Sequence, residues 1–361
     1  MQSTALPRLL IDVYKTRNLN SGIGRFSVNF AETISKNSNT GYAIDFLCPR
    51  NFPAGDWGHV HLQKVNFQKR YLPWFNKTYD IWHSLYQFPS HIPNRCSKWI
   101  LTIHDLNFMM EKDKWRSTRY LSKLQDNVNK AAAISVISDY TRAQVLEHLD
   151  VKDKPLYRIY NGISVNTFPD AGQPPFLTND KFFFTIGIIT AKKNFHVLVP
   201  LLQKFPGYDL VIAGENDSAY AKGILALVDE LKLTGRVHFP GKISEKNKYW
   251  LYSHCRAFLF PSLAEGFGMP VIEAMLLGKP VFTSTFASLP EIGDKYAFYW
   301  QNFDPDHMAE VLKEGLSACD RQKDEFSTAM VGYAQKFNWS ACIDNYLTMY
   351  RQVTGLNGVT P

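Results

Sequence analysis

Two glutamates eight positions apart, Glu265 and Glu273, stand in the segment AFLFPSLAEGFGMPVIEAMLLGKPVFTS at residues 257–284. Carboxylates paired in this way can share acid and base work, or serve glycoside hydrolysis through a covalent intermediate. The residues around them say where they lie. The apolar run 257–260 predicts a strand stopped by Pro261-Ser262, and Gly266 and Gly268 predict a loop. A helix carrying Glu273 follows and ends at Gly278, and 280–282 predicts a second strand. Strand–loop–helix–strand is the unit of parallel α/β sheets, whose ligands sit at the carboxyl ends of the strands. Both carboxylates therefore fall in ligand territory. Two surface glutamates on a loop and a helix are the alternative, which leaves the flanking glycines and Pro270 without a reason.

Three further groups could do chemistry. Lys192-Lys193-Asn194 follows the strand-like run 182–189 and reads either as a solvated basic turn or as cations facing an anionic ligand. His104-Asp105 closes the apolar run 99–103. A lone histidine at a strand end is commonly structural, yet functional residues gather at the carboxyl edge of parallel strands. Ser21-Gly22-Ile23-Gly24-Arg25-Phe26 is a glycine loop after the opening strand. Glycines there let backbone N–H groups approach a phosphate at a helix N-terminus. The spacing Gly22-x-Gly24-x-x-Ser27 matches the dinucleotide fingerprint imperfectly and comes later after the strand than that fingerprint requires. Taken alone, it is better read as a plain turn.

The elements that must position these groups are legible in outline. At 361 residues the chain suits two domains of about 150–200 residues each. Its 45% apolar and 14% aromatic content can fill two cores, and 20% charged residues exclude a disordered or fibrous chain. Short β-rich runs at 8–13, 43–48, 60–65, 79–83, 99–104, 134–137 and 157–160 alternate with polar or helical stretches. The segment PDAGQPPFLTND, 169–180, breaks that rhythm and reads as a linker. Strand-like runs then resume at 182–186, 210–213, 237–239, 257–260 and 281–282. The tail 337–354 places Trp339, Ile343, Tyr346, Leu347 and Tyr350 at helical spacing.

No stretch reaches the ~18 apolar residues of a membrane-spanning helix. The longest, 182–191, is bounded by Lys181 and Lys192 and reads as a buried strand. The opening MQSTALPRLLIDVYK lacks the pattern of a signal peptide. Five scattered cysteines without C-x-x-C spacing support neither zinc nor a disulfide framework, so a reducing cytosol is expected. A formal charge of +7 suits an anionic substrate or an anionic membrane surface, and a basic protein with no such partner accounts for it as well. No nucleic-acid partner is expected.

Set in EGFGMPVIE, Glu265 and Glu273 resemble the E-x7-E signature of retaining GT-B glycosyltransferases of the family 4 type. Other pieces agree in order: GIGRF at 22–26, His104-Asp105, the lysine pair, Ile159-Tyr160-Asn161-Gly162, Val211-Ile212-Ala213-Gly214 and Leu289-Pro290-Glu291. They cover nearly the whole chain and are densest over 181–300. The resemblance implies an α/β protein of GT-B fold, with two Rossmann-like domains facing a cleft. Expected boundaries are 1–168 for an acceptor-side domain, 169–180 for the linker, 181–336 for a nucleotide-sugar-binding domain, and 337–361 for a helix crossing back onto the first domain.

The resemblance also implies roles. Glu273 accepts hydrogen bonds from the nucleotide ribose, and Glu265 sits by the hydroxyls of the donor sugar. Gly266, Phe267 and Gly268 offer backbone N–H groups beside the phosphates. Gly24 faces the donor, His104 lies near its sugar, and Asp105 supports that loop. Lys193 matches the lysine that holds the diphosphate. The family's usual arginine position falls on Ile188, a departure; the chain is more like the P-R-K-N subgroup, with Lys192 in the place of the second arginine. His104, Lys193 and Glu265 are thus the expected catalytic residues, and Gly24, Lys192, Gly266, Phe267, Gly268 and Glu273 the donor-binding ones.

The implied reaction moves a hexose from a nucleotide diphosphate sugar to a hydroxyl of a glycan or lipid-linked acceptor, with retention of configuration. Lys193, Lys192 and loop N–H groups would neutralise the leaving diphosphate without a metal or other cofactor. With Glu273 given to ribose, no carboxylate is assigned as nucleophile, and a front-face reaction follows from the family. The first-half elements resemble those of bacterial mannosyltransferases of surface polysaccharide assembly, so GDP-mannose is the expected donor, with UDP-glucose, UDP-galactose or a UDP-N-acetylhexosamine as alternatives. A nicotinamide-dependent oxidoreductase would use the glycine loop and leave Glu265 and Glu273 idle; a catalytically silent glycan-binding relative would not need the site intact. The stretch FMMEKDKWRSTRYLSKLQDNVNK, 108–130, mixes aromatics with Lys112, Lys114, Arg116, Arg119, Lys123 and Lys130. It reads either as a solvated helix face or as a helix lying on the inner face of an anionic membrane.

Overall fold

A computed structural model describes residues 6–19, 21–65, 78–93 and 96–355, so the ends of the expected first domain and terminal helix, 1–5 and 356–361, lie outside the described residues. The chain divides into two compact units, Met1–Gly162 with Phe337–Pro361, and Ile163–Lys336.

In the first unit the strands are β1 (Arg8–Asp12), β2 (Ala43–Cys48), β3 (His61–Lys64), β4 (Tyr79–Ser84), β5 (Cys96–Ile103), β6 (Ala133–Val136) and β7 (Leu156–Arg158). They form one sheet in the order β3-β2-β1-β4-β5-β6-β7, and every pairing is parallel. A parallel strand buried on both faces reads as a continuous apolar run rather than an alternation. β1, with Leu9, Leu10 and Ile11 all buried, and β6, buried throughout, are of this kind. Helices start where short polar side chains can take a free N–H: Ser21 accepts from Gly24 N ahead of Gly22–Lys36, and Ser138 from Thr141 N ahead of Asp139–His148.

The second unit repeats the plan. β8 (Phe182–Ile186), β9 (Asp209–Ala213), β10 (Val237–His238), β11 (Ala257–Phe260), β12 (Val281–Ser284) and β13 (Ala297–Trp300) give the order β10-β9-β8-β11-β12-β13, again all parallel. Both sheets reverse direction of growth once, between β1 and β4 and between β8 and β11. At such a switch point the loops on the two sides part, and ligands of doubly wound sheets lodge there. β13 has no counterpart among the expected strands, although AFYW is as long an apolar run as the AFLF of β11.

The division falls at Gly162, and 163–180 belongs with the second unit. Leu177 is buried, and the ring of Phe168 packs 6.1 Å from that of Tyr249, so this segment is held by its own unit despite its prolines and glycines. Gly162 itself lies against Trp339, where a β-carbon would come within 2.4 Å of the indole.

The terminal helix Trp339–Thr354 belongs to the first unit and buries Trp339, Cys342, Ile343, Tyr346, Leu347, Met349 and Tyr350 in a core shared with Leu9, Phe26, Phe30 and Phe46. A polar chain ties it to the sheet. The Tyr350 hydroxyl is 2.6 Å from His83 Nδ1, His83 Nε2 is 2.7 Å from Thr102 Oγ1, and Thr102 Oγ1 is 2.6 Å from Ser135 Oγ. Burial pushes His83 down to about 3, and the nearby His104 adds to the shift. A histidine unfolded in water titrates near 6.5. Above that pH both states are neutral. As the pH falls from there toward 3, the unfolded chain gains a proton that the folded chain refuses, and stability declines. The urea midpoint should therefore drop between pH 7 and pH 5, and His83→Gln should flatten part of that slope. An undiminished slope in the variant would assign the whole loss to other groups.

Candidate functional site

In the second unit the site grows from the switch point. The chain leaves β8 and makes a tight basic turn, Ala191–Lys193, before Asn194 takes a left-handed conformation at φ 57°. Asparagine tolerates that region better than most residues. The turn directs Lys193 inward, so that it is buried. The chain leaving β11 runs through Pro261 to Gly268. These two loops are sewn together: Leu263 N donates to the carbonyl of Lys192 at 2.7 Å, and Ser262 Oγ donates to the same carbonyl at 3.2 Å.

Across this seam Lys193 Nζ meets Glu265 Oε1 at 2.5 Å, with the side chains only 11% and 13% exposed. Ser262 Oγ donates to the same carboxylate oxygen at 2.7 Å, and the ammonium lies 4.8 Å from the centroid of the Phe260 ring. The loop is braced from behind. Ser288 Oγ donates to the carbonyls of Glu265 and Phe267 at 3.1 and 2.9 Å. Gly268, at φ 104°, opens the helix Met269–Leu276 from a conformation that a side chain would strain. Gly266, Phe267 and Gly268 are buried in this turn.

Glu273 stands one turn into that helix. It does not join Glu265; it has its own cation, Lys248 Nζ at 2.5 Å from Oε1, and the hydroxyl of Tyr252 donates to Oε2 at 3.0 Å. Burial, followed by the Glu273 carboxylate, pushes the Tyr252 phenol well above its ordinary range, which keeps it a donor at neutral pH. Lys248 and Tyr252 come from the helix Glu245–His254, and the sequence reading missed both. One signal was present, since a lysine and a tyrosine four apart share one helix face; nothing in the sequence said that this face meets Glu273.

The first unit holds the remaining expected residues. His104 follows β5 and is buried. Its Nε2 is 2.8 Å from the carbonyl of Leu85. A carbonyl only accepts, so Nε2 carries the proton and Nδ1 presents a lone pair. Burial lowers His104 to about 4, so the ring is neutral near pH 7. Gln87, buried and unforeseen, clamps this corner: its Oε1 accepts from His104 N at 3.1 Å and its Nε2 donates to the Asp105 carbonyl at 2.8 Å. Asp105 turns the loop by accepting from Asn107 N at 3.0 Å. Gly24 has a packing reason of its own. A β-carbon there would fall 1.9 Å from the Asn18 carbonyl oxygen, and its N–H is taken by Ser21 Oγ at 3.0 Å. The structure thus brings Lys193 to Glu265, gives Glu273 separate partners, and shows a close-packing requirement at Gly24.

Two family models meet end to end along the chain: Glycosyltransferase Family 4 over residues 31–167, and Glycosyl transferases group 1 over 169–336. The chain belongs to the GT-B glycosyltransferases of the family 4 type. It is 25% identical over 341 residues to the O-antigen chain mannosyltransferase B of Escherichia coli, covering 88% of this chain and 84% of that protein. It is 24% identical over 266 residues to the serotype-specific mannosyltransferase WbdA of Escherichia coli, covering 67% of this chain and about a third of that much longer protein. The structure of Anabaena HepE in complex with UDP and glucose superposes with a TM-score of 0.72 over 96% of this chain and 100% of that one, at 16% identity. The glycosyltransferase shares with it the two parallel Rossmann-like domains of the GT-B fold.

The Lys193–Glu265 pair makes a stability prediction of its own. Removing one partner of a buried pair strands the other charge, at a cost on the order of 3 kcal/mol. Lys193→Ala and Glu265→Ala should each lower the denaturant midpoint, and the double variant should lose clearly less than the two losses added. Strict additivity would mean that the two side chains do not act as a pair.

Proposed function

We propose that the enzyme transfers a mannosyl residue from GDP-mannose, with retention, to a hydroxyl of a surface-polysaccharide acceptor of the O-antigen kind. The observation that carries this reading is the buried Lys193–Glu265 pair at the switch point of the second sheet. An ammonium held there by a carboxylate, a ring face and two stitched loops is fixed before the donor arrives. Fixed charge of this kind stabilises a developing diphosphate without the reorganisation that water would need. The mannose comes from the relatives, which are named as O-antigen chain mannosyltransferases and a serotype-specific mannosyltransferase.

In this reading the donor's phosphates approach Lys193 and Lys192 and the N–H groups of Gly266 to Gly268. Glu265, already sharing Lys193, accepts from sugar hydroxyls. Glu273 receives the ribose hydroxyls while Lys248 and Tyr252 keep its carboxylate oriented. His104, neutral and with Nδ1 free to accept, suits a sugar hydroxyl rather than a charged group. Since both glutamates are engaged in this way, neither is assigned as a covalent nucleophile. The glycosidic bond then breaks on the face at which the acceptor attacks, and a departing phosphate oxygen takes the acceptor's proton. Two lysines supply the positive charge, so this reading needs no metal ion.

Association with an anionic membrane surface is part of the same proposal. Trp115 and Met110 are 68% and 63% exposed, beside Arg116 and Arg119 in and near the helix Lys114–Lys130. No described helix is long and apolar enough to cross a membrane. A peripheral contact through apolar anchors and basic neighbours remains open to such a helix.

Two measurements test these statements. In a thermal-shift panel of GDP-, UDP- and ADP-sugars, GDP-mannose should raise the midpoint most, and proton NMR of the first product formed should show an α-linked mannose. A larger shift from a UDP-sugar would replace the donor, and a β-linked first product would end the retaining mechanism. Co-sedimentation with phosphatidylglycerol vesicles at low salt should fall when Trp115 and Arg119 are both changed to alanine; no binding by the unaltered enzyme would remove the membrane contact.

A further inference from the structure

The first sheet has a switch point of its own, between β1 and β4, and no ligand is yet assigned to it. The segments leaving these two strands carry Lys15, after β1, and Tyr86 and Phe88, after β4. Lys15 is half-buried, and its Nζ lies 4.2 Å from the centroid of the Tyr86 ring. The rings continue as a row. Tyr86 is 5.8 Å from Phe88, and Phe88 is 5.2 Å from Tyr120 on the helix Lys114–Lys130. Each ring of the row has its own ammonium: Lys123 Nζ stands 6.0 Å from the Phe88 centroid and Lys112 Nζ 5.1 Å from that of Tyr120. At its inner end the row reaches His104, whose ring is 6.5 Å from Tyr86.

A lysine resting on a ring is positioned without being neutralised, unlike one paired with a carboxylate. None of Lys15, Lys112 and Lys123 has a carboxylate within ion-pair distance among the described residues. Burial disfavours the Lys15 charge most, Asp12 favours it, and Arg17 and Lys123 then disfavour it. The acids facing them are Asp12, Asp105 and Glu111. Asp12 is buried at the end of β1 and pushed up to about 7, so its charge is only partly present at neutral pH. Asp105 and Glu111 are felt at Tyr86. A half-buried ammonium with like charges around it gains most from a polyanion, which removes the repulsion and forms charge-assisted hydrogen bonds. The three ring faces and edges beside it suit the apolar side of sugar rings or a hydrocarbon chain.

We propose that this row is the acceptor subsite for a phosphorylated glycan, with Lys15 and Lys123 holding the phosphate or diphosphate group and Tyr86, Phe88 and Tyr120 flanking what is attached to it. This assignment rests on the glycosyltransferase reading above and names the class of acceptor that it leaves open. The phosphate could come from a lipid diphosphate or from a phosphorylated sugar. Either source brings the same group to Lys15, next to the edge at which His104 stands.

The experiment is fluorine NMR of the full chain carrying 3-fluorotyrosine, with the Tyr86, Tyr120 and Tyr252 signals assigned by single tyrosine-to-phenylalanine variants. Inorganic pyrophosphate should move the Tyr86 and Tyr120 signals in a saturable way. The double variant Lys15→Gln/Lys123→Gln should weaken that response about tenfold or more, while Lys295→Gln, another lysine resting on a tyrosine ring, should leave it unchanged. Decyl diphosphate below its micelle concentration and mannose 6-phosphate then distinguish the sources, the tighter of the two identifying the acceptor's phosphate. Tyr252, beside Glu273, reports the donor site in the same spectra through titration with GDP and UDP. Tyr86 and Tyr120 signals that ignore all three phosphates while Tyr252 answers a nucleotide would overturn the acceptor subsite and leave the donor reading standing. A Tyr86 response with Tyr252 silent to both nucleotides would keep the anion site and sink the donor reading. A response that survives the double variant would place the anion elsewhere.

Discussion

An ammonium taken out of water must be matched by a fixed negative group, and in this enzyme that requirement organises the second domain's site. Lys193 is buried, so Glu265 must be delivered to it, and the delivery determines the paths of two loops. Leu263 N and Ser262 Oγ bind the Lys192 carbonyl, Ser262 also holds the carboxylate, and Ser288 ties the far side of the turn. The glycine at 268 follows from the same geometry, since the chain must turn into the helix Met269–Leu276 at a positive φ. The second glutamate has a separate solution, a lysine and a phenol from the helix Glu245–His254. Two carboxylates that look alike in sequence thus meet different partners, and this separation supports assigning them to different parts of one donor.

Parallel strands impose the complementary constraint. Because every strand of a sheet points the same way, all its carboxyl ends gather at one edge, and a switch in strand order opens that edge at one place. The second sheet puts Lys193 and Glu265 at its opening; the first puts Lys15 and Tyr86 at its own. His104 and Gln87 stand close to the latter. The terminal helix, by contrast, serves the packing of the first domain. It fills that core with Tyr346 and Tyr350 and closes the chain of hydroxyls through His83, a histidine that burial keeps neutral well below its ordinary range.

Much of this was legible in the sequence, for identifiable reasons. All twelve expected strands begin or end within two residues of the observed ones, because buried parallel strands are written as uninterrupted apolar runs; AFYW at 297–300, as long a run as AFLF at 257–260, was passed over. EGFGMPVIE exposed both the turn and its carboxylates, since glycine and proline mark where the backbone departs from regular structure. What could not be read is pairing between distant elements. Nothing in EKNKYWLYSH says that Lys248 and Tyr252 face Glu273, nor in LYQFPS that Gln87 clamps the His104 corner. The prolines and glycines of 169–180 signal loop but not ownership; the burial of Leu177 and the contact of Phe168 with Tyr249 group it with the second unit. Gly24 carries a constraint that the sequence did not show: the Asn18 carbonyl beneath it leaves no room for a β-carbon.

In the proposed reaction Lys193 acts on charge that develops as the diphosphate leaves, not only on the donor at rest. The direct test compares Lys193→Ala with the unaltered enzyme in two measurements on one donor, its dissociation constant by calorimetry and its turnover under saturation. Turnover should fall roughly 10²–10³-fold while donor affinity changes far less. If the loss in affinity accounts for the whole loss in kcat/KM and saturated turnover is preserved, Lys193 is a ground-state grip and does not act on the departing diphosphate.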